Sequence, residues 1–336
     1  MRLSRFFLVL WLLGYAVLPA VGHAHPEMRM EDRVRIREAM NISKLFGDSI
    51  WKGMSETPFT LVLVTDSVEF LINYPSRPSD FTLLGYDSIL SSRVYSRRTT
   101  FNKHFLATFP AIDGINTIVV GTPENTGLTS TAWIITILHE HFHQYVYSKP
   151  GYYRAVDSLN LSGGDKTGMW MLNYPFPYTD SAVANRYTAY THALSQAVSA
   201  IGTDSFESKV EAYAAERRRL KAALSPADYR YFSFQIWQEG IARYTEYKFL
   251  QALDGYQPSN ELTQLSDYVG FREYREQFYK RQTMRMSTWA LPNHKRECFY
   301  AVGLGEGLVL DRLNPKWREK YLTERFFIEH YSEKLK

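Results

Sequence analysis

The chain has 336 residues, 45% of them hydrophobic and 22% charged, which is a globular composition long enough for one large domain or two ordinary ones. Disorder is not the default for such a chain. Its 39 Lys and Arg against 35 acidic residues give a net charge of +4, falling to near +2 without Arg2 and Arg5, and so give no case for nucleic acid or an anionic membrane as the main partner.

Arg2 and Arg5 form a basic start, residues 6 to 21 are almost wholly apolar, and Gly22-His23-Ala24 is a small-x-small cleavage site. Residues 1–24 are therefore expected to be a signal peptide for export to a periplasm or the extracellular space. The apolar run, interrupted by Pro19, is shorter than the roughly 20 residues of a membrane span, so no membrane role is expected beyond the export signal. Cys298 is the only cysteine. An internal disulfide is thereby ruled out, and the apolar neighbours Phe299 and Ala301 point to a buried, inert thiol.

Residues 30 to 52 carry apolar side chains at helical intervals and read as one or two surface helices. Two β-rich runs, 59 to 64 and 68 to 74, flank Thr65-Asp66-Ser67 and predict a hairpin with a three-residue turn. Further strands are expected around 92 to 95, 105 to 109 and 117 to 120, the last stopping at Gly121-Thr122-Pro123. A long helix should follow, capped by Thr129 or Ser130 and ending near Ser148, ahead of Pro150-Gly151. It is apolar on nearly every side from Ala132 to Leu138, the mark of a buried helix. Residues 151 to 179 read as an irregular loop, of the kind that often forms lids or binding walls. Helical patterns resume over 181 to 201, 206 to 224, from Ser225-Pro226 through Gln238-Glu239-Gly240, and over 265 to 286, 297 to 313 and 316 to 335.

The buried helix ends in His139-Glu140-His141-Phe142-His143. Residues four apart share a helix face, so His139 and His143 can offer two imidazole nitrogens to one metal ion, with Glu140 placed where zinc hydrolases keep the carboxylate that accepts a proton from water. His141 points away from that face and reads as structural. Zinc in a hydrolytic site takes three protein ligands, so one more is needed. The metzincin positions hold Val146 and Lys149, which removes that family. Asp157 and Asp165 are nearby candidates, but Asp165 lies in a glycine-bearing loop with no helix to aim it. Glu239 is better placed, on a helix beside Gly240 and Ala242, whose small side chains would let that helix approach the His139 helix. Glu246, two turns on, is either a carboxylate that orients a ligand histidine or the ligand itself. A plain ion pair of Glu239 with Arg243 is the alternative without metal.

With HExxH on one helix and Glu-Gly-x-Ala on a later one, the chain resembles the gluzincin-type zinc metallopeptidases. The resemblance implies Zn2+ held by His139, His143 and Glu239, with Glu140 as general base. It departs in spacing, because Glu239 lies 96 positions after His143, which requires two inserted helices. The implied fold is α+β and zincin-like: a small mixed sheet and the buried active helix over 25–150, then a mainly helical region over 151–336, together one catalytic unit. Residues 117 to 120 resemble the edge strand that pairs with an extended peptide in such enzymes. Tyr300 is a candidate donor to the developing oxyanion, with core packing as its alternative. The expected activity is hydrolysis of amide bonds in a peptide or protein substrate; the alternative is a non-catalytic secreted binding or assembly protein on the same scaffold.

Overall fold

Alternation along a short strand organises the sheet. In β1 (Leu61–Val64), Leu61 and Leu63 enter the main hydrophobic core, whereas Val62 and Val64 join a smaller cluster with Leu71, Tyr74, Phe81, Tyr95, Ile112 and Val119. The computed structural model describes residues 26–335, so the expected leader falls outside it. The first layer is a six-stranded sheet of β1, β2 (Val68–Ile72), β3 (Thr82–Asp87), β4 (Ser92–Arg98), β5 (Leu106–Ile112) and β6 (Ile115–Gly121), in the order β3-β4-β2-β1-β6-β5. Only the β1/β6 pair is parallel; the others are antiparallel.

The strand expected at the edge is not there. Residues 117 to 120 belong to β6, which lies between β1 and β5. Asp113 and Gly114, with φ of 46° and 77°, turn the chain straight back, so β5 fills one side of β6 and is itself the edge strand. β3 gave no sequence signal. It is half exposed, and Gly85, at φ 144°, sits at a bulge in its pairing with β4.

The second layer is helical. α1 (Met30–Ile50) is one helix with an exposed face at Asn41, Lys44, Leu45 and Asp48, and its inner face buries Asp32, Arg35 and Glu38 along with Val34, Ile36 and Ile42. Glu38 accepts from the Tyr256 hydroxyl at 2.8 Å and from Ser259 Oγ at 2.9 Å, so its charge is covered by a later segment. α2 (Ser130–Tyr147) begins and ends where capping predicts: the Thr129 side chain accepts from the Ala132 N–H. Trp133 Nε1 donates to Gly121 O at 2.8 Å, pinning the start of α2 to the end of β6. A side chain at Gly121 would strike Lys103 O at 1.8 Å, so only glycine fits there.

Next come α3 (Ser181–Ser199) and α4 (Phe206–Ala223), two long helices between His143 and Glu239. α5 (Pro226–Gln235) starts on a Ser225 cap, passes through a π-helical turn at Ile236–Gly240 and continues as α6 (Ile241–Ala252). α7 (Phe271–Thr288) and α8 (Cys298–Leu313) complete the layer. The expected loop at 151 to 179 holds a helix, Tyr152–Ser158, and a helical turn, Trp170–Asn173. The helix expected over 316 to 335 does not form; only the turns Trp317–Lys320 and Ile328–Tyr331 do. Phe326, at φ 75°, takes a left-handed conformation that interrupts any helical run. The fold is α+β, a six-stranded mixed sheet followed by a mostly helical part. No helix among the described residues is long and apolar enough to cross a membrane.

Candidate metal centre

Two anchors hold α2 beneath the sheet. Gln144 Nε2 donates to Thr60 O at 2.8 Å and Asn116 O at 3.0 Å, at the start of β1 and β6, while Thr108 Oγ1 of β5 donates to Glu140 O at 2.9 Å. With α2 fixed, His139 and His143 project from one face. Their Nε2 atoms lie 3.1 Å apart.

Glu239 reaches the same point from the π turn. Such turns shift the angular position of a residue relative to a regular helix and recur at functional sites. Here Gly240 is the contact that sets the turn, though not against α2. A Cβ on Gly240 would come within 2.6 Å of Gly303 Cα in α8, so it is α8 that the two glycines allow to approach. Glu239 Oε2 lies 3.6 Å from His139 Nε2 and 3.5 Å from His143 Nε2.

These three donors form a triangle with sides of 3.1, 3.5 and 3.6 Å, and the point equidistant from its corners lies about 2.0 Å from each. That is the bond length zinc makes to imidazole nitrogen and carboxylate oxygen. Among the described residues, His139, His143 and Glu239 are the one group of His, Cys, Asp or Glu close enough to hold a metal ion. Asp157 and Asp165 lie outside it. Asp165 instead closes its own loop, accepting from Thr167 N and Trp170 N at 2.7 Å each.

The carboxylate at Glu246 orients; it is not a third donor in the triangle. Its Oε1 accepts from His139 Nδ1 at 2.6 Å, which puts a proton on Nδ1 and leaves Nε2 as the ring nitrogen at the triangle. Arg243 Nη1 donates to Glu246 Oε2 at 2.8 Å, so Arg243 pairs with Glu246 and not with Glu239. On the ligand's other oxygen, Gln238 Nε2 lies 3.4 Å from Glu239 Oε1, and Gln238 Oε1 accepts from the Tyr152 hydroxyl at 2.6 Å. Met171 O, in the 151–179 segment, accepts from Tyr231 and Gln235, which lays that segment against the helix bearing Glu239.

Electrostatics favour a cation at the triangle. Burial works against charge on His139, yet Glu239 and Glu246 outweigh it and raise its pKa to about 10. Burial likewise works to protonate Glu239, but His143 and His139 hold it well below the usual carboxylate range. Glu140 is also buried, and its carboxylate makes no hydrogen bond within the described residues. Arg243 is paired with Glu246, which leaves Glu239 and Glu140 without a salt-bridged arginine among the described residues, two charges that a divalent ion would balance when both imidazoles are neutral. The donor set therefore fits a metal ion.

His141 is structural, as expected. It stacks on Phe59 at 4.3 Å, its Nδ1 meets Gln144 Oε1 at 2.9 Å, and burial pushes its pKa down to about 4. Tyr300 stands beside the triangle, its ring stacked on His139 at 6.2 Å and its hydroxyl accepting from Arg296 Nη1 at 3.0 Å. Cys298 is buried, and burial lifts its thiol to about 12. Sequence reasoning missed Tyr147, which stacks on His143 at 5.4 Å, and Arg296. Each lies four residues from a recognised member on its own helical run, a spacing that would have found both. No protein-family model, curated protein or solved structure matches this chain.

Proposed function

We propose that this chain is an exported, zinc-dependent metallopeptidase of the zincin type. One observation carries this: two imidazoles of α2 and the carboxylate of Glu239 from a second helix share a point at zinc bonding distance, with the buried Glu140 one residue from the first imidazole. Zinc held by His139, His143 and Glu239 supplies Lewis acidity, polarising a carbonyl and lowering the pKa of water towards about 7.

The chain's own groups do the rest. Glu140, free of hydrogen bonds, takes the proton of the attacking water and delivers it to the leaving nitrogen. Tyr300 keeps its hydroxyl proton, since burial and the charge of Glu239 raise its pKa well above the ordinary value, so it serves as a donor to the developing oxyanion. Glu246 fixes the tautomer of His139, and Arg243 fixes Glu246. β5 is the strand for an extended peptide to pair with, its outer edge unpaired among the described residues and Thr108 tying it to Glu140.

The test is chelator-sensitive cleavage of a peptide library. Glu140→Gln should keep its metal and lose roughly a thousandfold in kcat/KM. Equal cleavage by wild type and Glu140→Gln, or none by either, would remove the catalytic role and favour a non-catalytic binding protein.

A further inference from the structure

Four arginines gather on one side of the metal centre, and they outnumber the acids that face them. Arg243 on α6 lies 5.3 Å from the centre of the Tyr300 ring and 5.9 Å from that of Phe278. Arg281 on α7 also lies over Phe278, at 5.8 Å, and over Tyr274, at 5.7 Å. One turn further along α7, Arg285 stacks on Trp289 at 4.4 Å. Arg296 holds the Tyr300 hydroxyl, and through that ring the cluster reaches His139.

Few of these charges are matched. Arg243 is committed to Glu246, and Arg296 Nη2 meets Glu297 at 3.2 Å on the rim. Arg281 and Arg285 make no salt bridge among the described residues. Four guanidiniums against two carboxylates leave two positive charges, while a divalent ion at the triangle is already balanced by Glu239 and Glu140. Burial and the neighbouring charges of Arg243 and Arg281 lower the pKa of Arg285, the mark of cations held together. Aromatic faces make the crowding tolerable, because Phe278, Tyr274 and Trp289 stack on guanidinium planes. Arg296 commits Nη1 to Tyr300 and Nη2 to Glu297, and Arg281 Nη2 donates to the Tyr274 hydroxyl at 3.4 Å, so Arg285 and the remaining donors of Arg281 are the ones that match a carboxylate.

We infer that Arg281, Arg285 and Arg296 form an anion-recognition wall, and that the substrate presents a carboxylate to it while its scissile amide lies at the metal centre. This rests on the hydrolytic role proposed above. The carboxylate is either an acidic side chain or a free chain terminus, and one set of peptides separates them.

The zinc-loaded full chain is given one neutral peptide in three forms: with a C-terminal amide, with a free C-terminus, and amidated with one Gln replaced by Glu. The expected result is a kcat/KM at least about tenfold higher for one carboxylate-bearing form than for the neutral amide, with the preference shrinking as salt is raised. Whichever form is preferred identifies the source. The preference should fall to about twofold or less in Arg281→Gln and Arg285→Gln, with part of it restored in Arg285→Lys. Cleavage without preference in wild type, or a preference undiminished in both Gln variants, overturns the wall and leaves the hydrolytic role standing. Binding of the same peptides to Glu140→Gln gives a readout that needs no turnover. If no peptide is cleaved yet carboxylate-dependent binding is seen and is lost in Arg285→Gln, the wall stands and the hydrolytic role falls. Absence of both overturns the wall as well.

Discussion

Arg217, Glu306 and Glu329 meet inside the helical half much as His139, His143, Glu239 and Glu246 meet beneath the sheet, yet only in the first cluster is each carboxylate paired with an arginine. Arg217 reaches Glu306 Oε1 at 3.0 Å and Glu329 Oε2 at 2.9 Å, and its Nη1 donates to the Tyr229 hydroxyl at 2.6 Å. Tyr190 and Tyr213 donate to Glu306, and Tyr229 donates to Glu329. Glu306 Oε2 has no hydrogen-bond partner among the described residues, and Arg217 Nη2 meets Glu329 Oε2 as an ion pair without hydrogen-bond geometry. Under the sheet, by contrast, two imidazole nitrogens face each other at 3.1 Å, and among the described residues His143 Nδ1 has no hydrogen-bond partner. Both regions bury charge, but one pairs its carboxylates with an arginine and the other sets three donors where a cation could be held.

That difference can be broken from either side, and the largest effect is expected on stability. Arg217→Met strips two buried carboxylates of their partner and should cost about 3–5 kcal/mol in denaturant unfolding, with metal content unchanged in the fraction that folds. The same cluster sets an acid limit. Burial tends to raise the pKa of Glu329, but Arg217 and Tyr229 hold it below the ordinary 4.5. The pair's contribution is thus full above about pH 4.5 and lost as pH falls through the lower folded value, so wild-type Tm should drop there more steeply than that of the variant. A parallel acid profile in Arg217→Met would contradict this.

Glu246→Gln is the smaller lesion and acts on the other cluster. It keeps the shape but weakens the hold on His139 Nδ1, and metal affinity measured by competition with a chromophoric chelator should fall about 10- to 100-fold. Unchanged affinity would show that Glu246 does not orient the ligand. Loss of folding would mean the two clusters are less different than their hydrogen bonds indicate.

Much of the donor cluster was legible because its determinants are local. Thr129 and Pro150-Gly151 bound the active helix, spacing put His139 and His143 on one face, and Ser225-Pro226 opened the helix that delivers Glu239. What failed depended on contacts between distant segments. Strand order is such a property, so residues 117 to 120 could be identified as a strand but not as an interior one. Gly240 was recognised as a close-approach residue, but its partner proved to be Gly303 of α8. At the C-terminus, Trp317, Tyr321, Ile328, Tyr331 and Leu335 are all buried at intervals that imitate a helix, although the backbone between them is irregular. Periodicity reports burial on one side, and here the packing of separate turns supplied it.

The most direct measurement is the metal content of the full chain purified without chelator, beside Glu239→Ala and His143→Ala. The donor triangle predicts about one zinc per chain in wild type and a loss of most of it in both variants, each of which removes one of three ligands. Wild-type protein with no stoichiometric metal, or metal retained in full by both variants, would contradict the three-ligand centre.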